Sequence, residues 1–299
     1  MNEAGQPTEK RFQQGETDLC YFEWGNSDDQ TILMVHATGF HARCWDKTIA
    51  ALPPGYHIVA VDQRGHGRSS KPDSLVDWSL MGRDVGALVT GLGLQNIVGV
   101  GHSMGAHVIV QIADVMPERF ERLVLLDPTI TEPEAYQNPP QLADLDPNQN
   151  PVSRRRNSWD SPEAMYGAFK DRHPFNLWRP DVLMDYCQHG LLPADDGEGF
   201  VLACPPYLEA SVYEGFRSLD PYPLVKRITL PVAILRAQMA SDDVTSVRDF
   251  ANSPTWPDLV DVFPNAKEVH MPELSHFMPM QDPQRMAEYI AAGLDHLDT

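Results

Sequence analysis

Val100-Gly101-His102-Ser103-Met104-Gly105 is a G-x-S-x-G stretch set between two kinds of apolar pattern. Before it, 96–101 is a short run rich in Ile and Val that predicts a buried strand. After it, 104–116 predicts a helix stopped by Pro117. A serine in so tight a strand-to-helix turn holds a strained backbone. Residues two positions to either side must then be small, because their backbones nearly touch, and Gly101 and Gly105 meet that need. The turn presents the Ser103 hydroxyl at a helix N-terminus, where developing negative charge is favoured. Alone, the pentapeptide is common; with strand before and helix after, Ser103 becomes a candidate nucleophile.

Working outward, the first half of the chain alternates strand-like and helix-like segments. Strands are expected at 18–24, 30–36 and 56–62, followed by the turn Gln63-Arg64-Gly65-His66-Gly67-Arg68-Ser69. A helix is expected over 79–92, with Leu80, Val85, Leu88 and Leu92 on one face, and another strand at 122–127. Such alternation implies a doubly wound, mostly parallel sheet. The pattern breaks after Asp127. Residues 131–226 are rich in Pro, Trp, Tyr and Arg and predict two helices. One is capped by Ser161 with Pro162 in its first turn; the other covers 180–189 and stops at Gly190. Strands return at 231–237 and 268–271, a helix follows at 254–262 between them, and one at 286–296 closes the chain. The expected organisation is a flexible segment 1–17, an α/β core of 18–130 and 227–299, and a helical cap inserted at 131–226. Open α/β sheets bind ligands beyond the carboxyl ends of their strands, so this insertion is placed to roof the site.

The 299 residues, 42% of them hydrophobic, suit one large α/β domain or two small ones. The first 17 residues are polar with no apolar leader core, and no apolar run has the length of a membrane helix. Cys20, Cys44, Cys187 and Cys204 are widely spaced, form no C-x-x-C motif and are expected reduced, in a cytoplasmic protein. A formal net charge of −19 repels phosphate backbones and anionic lipids, so neither nucleic acid nor a membrane is an expected partner. The run Arg154-Arg155-Arg156 reads as a solvated turn or a set of ion-pair partners.

A serine hydroxyl is a weak nucleophile until a base takes its proton. Among 11 histidines, His276 lies just past the last strand and before the final helix, on the same side of the sheet as Ser103. His66 reads as a turn residue; His102 and His107 flank the elbow; His41, His173 and His189 are candidates for the pocket wall. No cluster has metal-ligand spacing, and no metal or cofactor is expected. Two backbone amides must converge on the oxyanion. Met104, after the nucleophile, supplies one, and Thr38, in the loop His36-Ala37-Thr38-Gly39-Phe40, is the candidate for the other.

These stretches together resemble the α/β-hydrolase superfamily: His36 to Phe40 with Trp45 beyond, Asp62-Gln63-Arg64-Gly65-His66-Gly67-Arg68-Ser69, the Ser103 elbow, and Ser275-His276-Phe277. The resemblance spans about residues 20–295, leaves the cap without a signature and implies an eight-stranded sheet, a Ser-acid-His order and a cap. Ala37 stands where the family usually has glycine. The acid is the second departure: the usual position after the strand that follows the cap holds Ala240. Asp127, at the end of the strand after the nucleophile helix, is the lead replacement. Asp249, 27 residues before His276, is the alternative, and the pair Asp242 and Asp243 stays open. Trp159, Trp178 and Tyr207, with Tyr166, Phe169 and Tyr213, are cap candidates for an apolar pocket. The resemblance implies a serine hydrolase acting on a small-molecule carboxylic ester or lactone. A C–C bond hydrolase of a diketone-like ring-cleavage product and a non-catalytic small-ligand receptor on the same fold are the rival readings.

Overall fold

The computed structural model describes residues 5–139, 141–240 and 249–293. Its core runs β1 (Thr8–Gln14), β2 (Thr17–Trp24), β3 (Gln30–Val35), α1 (Asp46–Ala51), β4 (Tyr56–Val61), α2 (Ser79–Gly91), β5 (Ile97–His102), α3 (Met104–Val115) and β6 (Phe120–Leu126). The insertion carries β7 (Ser158–Trp159), α4 (Pro162–Phe169), α5 (Pro180–His189), β8 (Leu191–Pro193), β9 (Phe200–Leu202), α6 (Pro206–Glu214) and α7 (Tyr222–Val225). The core resumes with β10 (Val232–Arg236), β11 (Ala266–His270), α8 (Met278–Gln281) and α9 (Pro283–Ala292).

The core strands form an eight-stranded sheet in the order β1-β2-β4-β3-β5-β6-β10-β11. The pairs β1–β2 and β2–β4 are antiparallel, and every other pair is parallel. The central strands are apolar throughout because both faces are covered. On one face Leu33, Val35, Leu123, Leu125, Val232 and Ile234 pack against α2, α3 and α7. The alternate residues Ile32, Met34, Val98, Val100, Val124, Leu126 and Leu235 pack with α1 and α9 on the other. The result is an α/β-hydrolase fold. No helix among the described residues is long and apolar enough to cross a membrane. All four cysteines are buried free thiols.

Four expectations change. Residues 8–14 are not frayed: β1 pairs along its length with β2, from Thr8 opposite Glu23 to Gln14 opposite Thr17. Its polar sequence fits an edge strand that is mostly exposed, while Phe12 packs onto the core beside Gly91. The cap is not purely helical, since β7, β9 and β8 form a small antiparallel sheet. The helix expected at 254–262 is only a 3-10 turn at Leu259–Asp261. Pro254 and Pro257 and the backbone bonds Ser253 N–H to Gln238 O (2.7 Å) and Trp256 N–H to Ile130 O (2.9 Å) hold this segment as a strap. The final helix begins at Pro283, three residues early, because the Asp282 side chain caps the Arg285 amide at 3.1 Å. The Ser161 cap of α4 is as expected, accepting from the Ala164 amide at 3.1 Å.

Several histidines lie deep in this fold. Burial pushes His41 and His102 down to about 3, and His66 and His107 down to about 4. The unfolded chain takes up protons on these rings below about pH 6.5, and the native state does not until far lower. Their contribution to stability is therefore complete above about pH 6.5 and is lost as pH falls toward 4, at about 1.4 kcal/mol per pH unit for each ring. The melting temperature is expected to fall progressively from roughly pH 6.5 downward. A melting temperature that holds or rises over that interval contradicts this account.

Candidate active site

Ser103 sits between β5 and α3 at φ 58°, ψ −121°, the left-handed side of the map where a non-glycine residue is strained. The turn exists because its neighbours have no side chains to clash. A Cβ on Gly101 would lie 2.4 Å from the Ala106 Cα, and one on Gly105 would lie 2.2 Å from the Val35 carbonyl oxygen. The second contact presses the start of α3 against the end of β3, bringing Met104 beside the loop that carries Thr38. Both residues are buried.

Ser103 Oγ is 2.9 Å from His276 Nε2, and His276 Nδ1 is 2.6 Å from Asp127 Oδ2. The three side chains form one hydrogen-bonded chain contributed by the ends of β5 and β6 and by the loop after β11. Asp127 is fully buried, and a buried carboxylate is tolerated only when its oxygens are satisfied. Its Oδ1 accepts from the Ala237 amide at 2.8 Å, the Ser253 hydroxyl at 2.6 Å and the Thr255 hydroxyl at 3.2 Å. Asp127 also adopts a positive φ of 46°, which turns the chain sharply off the end of β6. The histidine is held through its backbone: its N–H donates to the Ala251 carbonyl at 2.7 Å, and its carbonyl accepts from His102 Nε2 at 2.7 Å. Burial keeps His102 neutral, so its ring proton resides on the Nε2 that makes this bond.

Asp249, the alternative acid, is elsewhere: both its carboxylate oxygens lie 2.8 Å from His173 Nε2, on the cap. Asp242 and Asp243 lie outside the described residues. Thr129 Oγ1 is 2.9 Å from Ser103 Oγ, a contact that sequence reading missed. Ser253, Thr255 and His102 were missed as well. Ser253 and Thr255 are 126 and 128 residues from the carboxylate they touch, in a stretch with no motif to mark them.

The loop carrying Thr38 is held from two sides. The Gln63 side chain donates to the His36 carbonyl at 2.7 Å, and the His36 ring accepts from the Gln63 amide at 3.1 Å. Gly39, at φ +79°, lies beneath Glu209: a Cβ there would come within 2.7 Å of its Oε1. Glu209 is buried and ion-paired with Arg155. Burial raises the Glu209 carboxyl while the guanidinium opposes the shift. The basic run thus supplies an ion-pair partner, and Arg156 lies 4.1 Å over the Trp159 ring.

The cap aromatics divide. Trp159, Trp178 and Phe169 are buried with Ala37, Phe40 and Phe277 in one cluster, and Tyr166 packs at its edge. Ring centroids put Trp178 5.6 Å from Phe40 and 5.4 Å from Phe277, so it packs against the loop carrying Thr38 and the residue after His276. Tyr207, in α6, is 44% exposed. Tyr213 packs against the exposed Phe250.

Residues 32–289 match the model of the alpha/beta hydrolase family. The chain is 27% identical over 233 residues to 3-oxoadipate enol-lactonase 2 of Acinetobacter baylyi, covering 77% of this chain and 78% of that one. It is 25% identical over 287 residues to the bifunctional esterase/perhydrolase DCH of Acinetobacter calcoaceticus, covering 92% and 95%. A non-heme chloroperoxidase of Streptomyces lividans is 34% identical over 112 residues, which is 37% of this chain and only 41% of that one. Among solved structures, E-2-(acetamidomethylene)succinate hydrolase superposes with a TM-score of 0.77 at 23% identity, over 97% of this chain and 99% of that one. With an eight-stranded hydrolase sheet and a family match over most of its length, the chain belongs to the alpha/beta hydrolase family.

Proposed function

We propose that this protein is a serine hydrolase that opens a carboxylic ester or lactone through an acyl-enzyme, without a cofactor. The observation that carries the reading is the unbroken hydrogen-bonded chain from Ser103 Oγ through His276 to Asp127. Two relatives support the bond type, one named as an enol-lactonase and one as an esterase/perhydrolase.

His276 Nε2 takes the Ser103 proton as Oγ bonds to the substrate carbonyl carbon. The carbonyl oxygen becomes an oxyanion and accepts from the amides of Thr38 and Met104. His276 then protonates the departing alkoxide, and the acyl group remains on Ser103. A water enters, gives its proton to His276 and attacks the acyl carbon. The Ser103 oxygen leaves with that proton, and the carboxylic acid is released. Asp127 orients the ring and stabilises its protonated form. Trp178, Phe40 and Phe277 form the apolar wall that receives the substrate.

The test is active-site labelling with a fluorophosphonate, read by mass spectrometry of the intact protein and its peptides. One adduct per chain on Ser103 is expected, with turnover of at least one ester or lactone from a panel that also includes a ring-cleavage diketone. No adduct, and no hydrolysis of even a small ester, refutes the reading. Turnover of the diketone with negligible ester hydrolysis moves the assignment to C–C bond cleavage.

A further inference from the structure

Ser103 Oγ has two hydrogen-bond partners and one proton. His276 Nε2 and Thr129 Oγ1 each lie 2.9 Å away. The proton assignment follows from the third member of the chain. His276 Nδ1 faces an Asp127 oxygen at 2.6 Å, and an ionised carboxylate can only accept. The proton of the neutral imidazole is therefore on Nδ1, and Nε2 is left as an acceptor. Ser103 must donate to Nε2, so the hydroxyl on its other side must donate to Ser103. That hydroxyl is Thr129. The residue is fixed against the elbow at a second point, since its amide donates to the Ser103 carbonyl at 3.2 Å. It reaches this place because the positive φ of Asp127 and the Ile130 N–H to Pro128 O bond at 2.8 Å fold the segment after β6 back over the nucleophile.

We propose that Thr129 is a catalytic residue, a standing hydrogen-bond donor to Ser103 Oγ that stabilises the partial negative charge on that oxygen in the transition state, as its proton passes to His276 and before its bond to the substrate carbon is complete. The proposal rests on the serine hydrolase reading and adds to it a donor separate from the amides that serve the substrate oxygen. Thr129 keeps its proton throughout, so no extra proton acceptor is needed. As Oγ attacks and the proton of Ser103 passes to His276, partial negative charge develops on Oγ and the Thr129 bond strengthens, because a donor to an oxygen bearing negative charge is held more tightly than a donor to a neutral one. The same donor acts again in deacylation, when Oγ leaves the tetrahedral adduct and is reprotonated by His276. The resting state already contains the bond, so only its strengthening contributes to rate. The expected effect is accordingly below that of losing a full oxyanion donor, about ten- to a hundred-fold.

The experiment measures the second-order rate of fluorophosphonate labelling of Ser103 in wild type, Thr129→Val, Thr129→Ala and Thr129→Ser, across mildly acid to mildly alkaline pH, together with the melting temperature of each. Valine keeps the shape and removes the hydroxyl; serine keeps the hydroxyl. Thr129→Val and Thr129→Ala are expected to label about ten- to a hundred-fold more slowly, with the acid limb of the pH profile unmoved, and Thr129→Ser to recover to within a few-fold of wild type. A structural role would instead lower the melting temperature and leave serine no better than alanine, which overturns the proposal. Labelling of Thr129→Val at the wild-type rate or faster overturns it too. If Thr129→Val does not fold, the alanine and serine pair decides by the same comparison. Failure of wild type itself both to label and to hydrolyse even a small ester is the distinct result that removes the serine hydrolase reading, and this proposal with it.

Discussion

Replacing Ser103 by alanine is expected to lower kcat by about a million-fold while leaving the fold and substrate affinity nearly unchanged. The size follows from what the oxygen does. It is the only atom of the chain proposed to form a bond with substrate, and without it His276 has no nucleophile of the chain to activate. On the proposed mechanism the remaining groups, the Thr38 and Met104 amides and the apolar wall, still bind the substrate and polarise its carbonyl, so a residual acceleration over water is expected. Stability changes little. Alanine bears the same strain at φ 58° as serine does, and the substitution removes a single hydroxyl with its two bonds, to His276 Nε2 and to Thr129. The comparison is made by steady-state turnover of the best ester or lactone, with substrate binding and melting measured on the same preparations. Turnover by Ser103→Ala within a hundred-fold of wild type assigns the chemistry to another group.

Asp127→Asn is expected to lower kcat by about ten-thousand-fold, and Asp249→Asn to change it by less than a few-fold. Both substitutions remove one negative charge and keep the side-chain shape, so the contrast isolates geometry. At position 127 the Ala237 amide and the Ser253 and Thr255 hydroxyls all donate to Oδ1, so they select the amide oxygen for that place. The amide nitrogen is then turned toward His276 Nδ1. It donates where the carboxylate accepted, which drives the ring proton to Nε2 and leaves no acceptor for the Ser103 proton. Asp249 faces His173 in a partly exposed contact, where the loss of a polar pair is worth little. Equal losses in the two variants contradict this assignment, as does a loss confined to Asp249→Asn. Activity regained by Asp127→Asn at high pH checks the tautomer argument, because hydroxide then takes over part of the work of the base.

The elbow, the alternating core and the position of His276 were legible because each is a local signal. Gly101 and Gly105 are required by atoms within a few residues or by the adjacent strand, and the apolar runs of β3, β5, β6 and β10 announce burial on both faces. The edge strand β1 was not legible. Its side chains are mostly exposed, so its sequence carries no burial pattern, and it is held by backbone pairing with β2. Residues 254–262 read as a helix from sequence, but the segment is a strap with only a 3-10 turn at Leu259–Asp261. Its actual structure is dictated by bonds to Gln238, Ile130 and Asp127, all remote in sequence or contributed by other elements.

By itself the sequence determined the family and the local elements that mark it: a G-x-S-x-G turn between strand and helix, a histidine at the strand ends, and a glycine-containing loop after β3, all encoded by short-range sterics and periodicity. Only the tertiary structure decided which carboxylate meets the histidine. Several aspartates were compatible with the pattern, and none carries a local mark of its partner. Asp127 is selected because the end of β6, the strap after β10 and the loop after β11 converge on one buried point. There Ala237, Ser253 and Thr255 make a desolvated charge tolerable, and Thr129 is carried onto Ser103 by the same turn. A hydrogen bond between residues more than a hundred positions apart leaves no periodicity behind; it exists only once the sheet has brought the strand ends together.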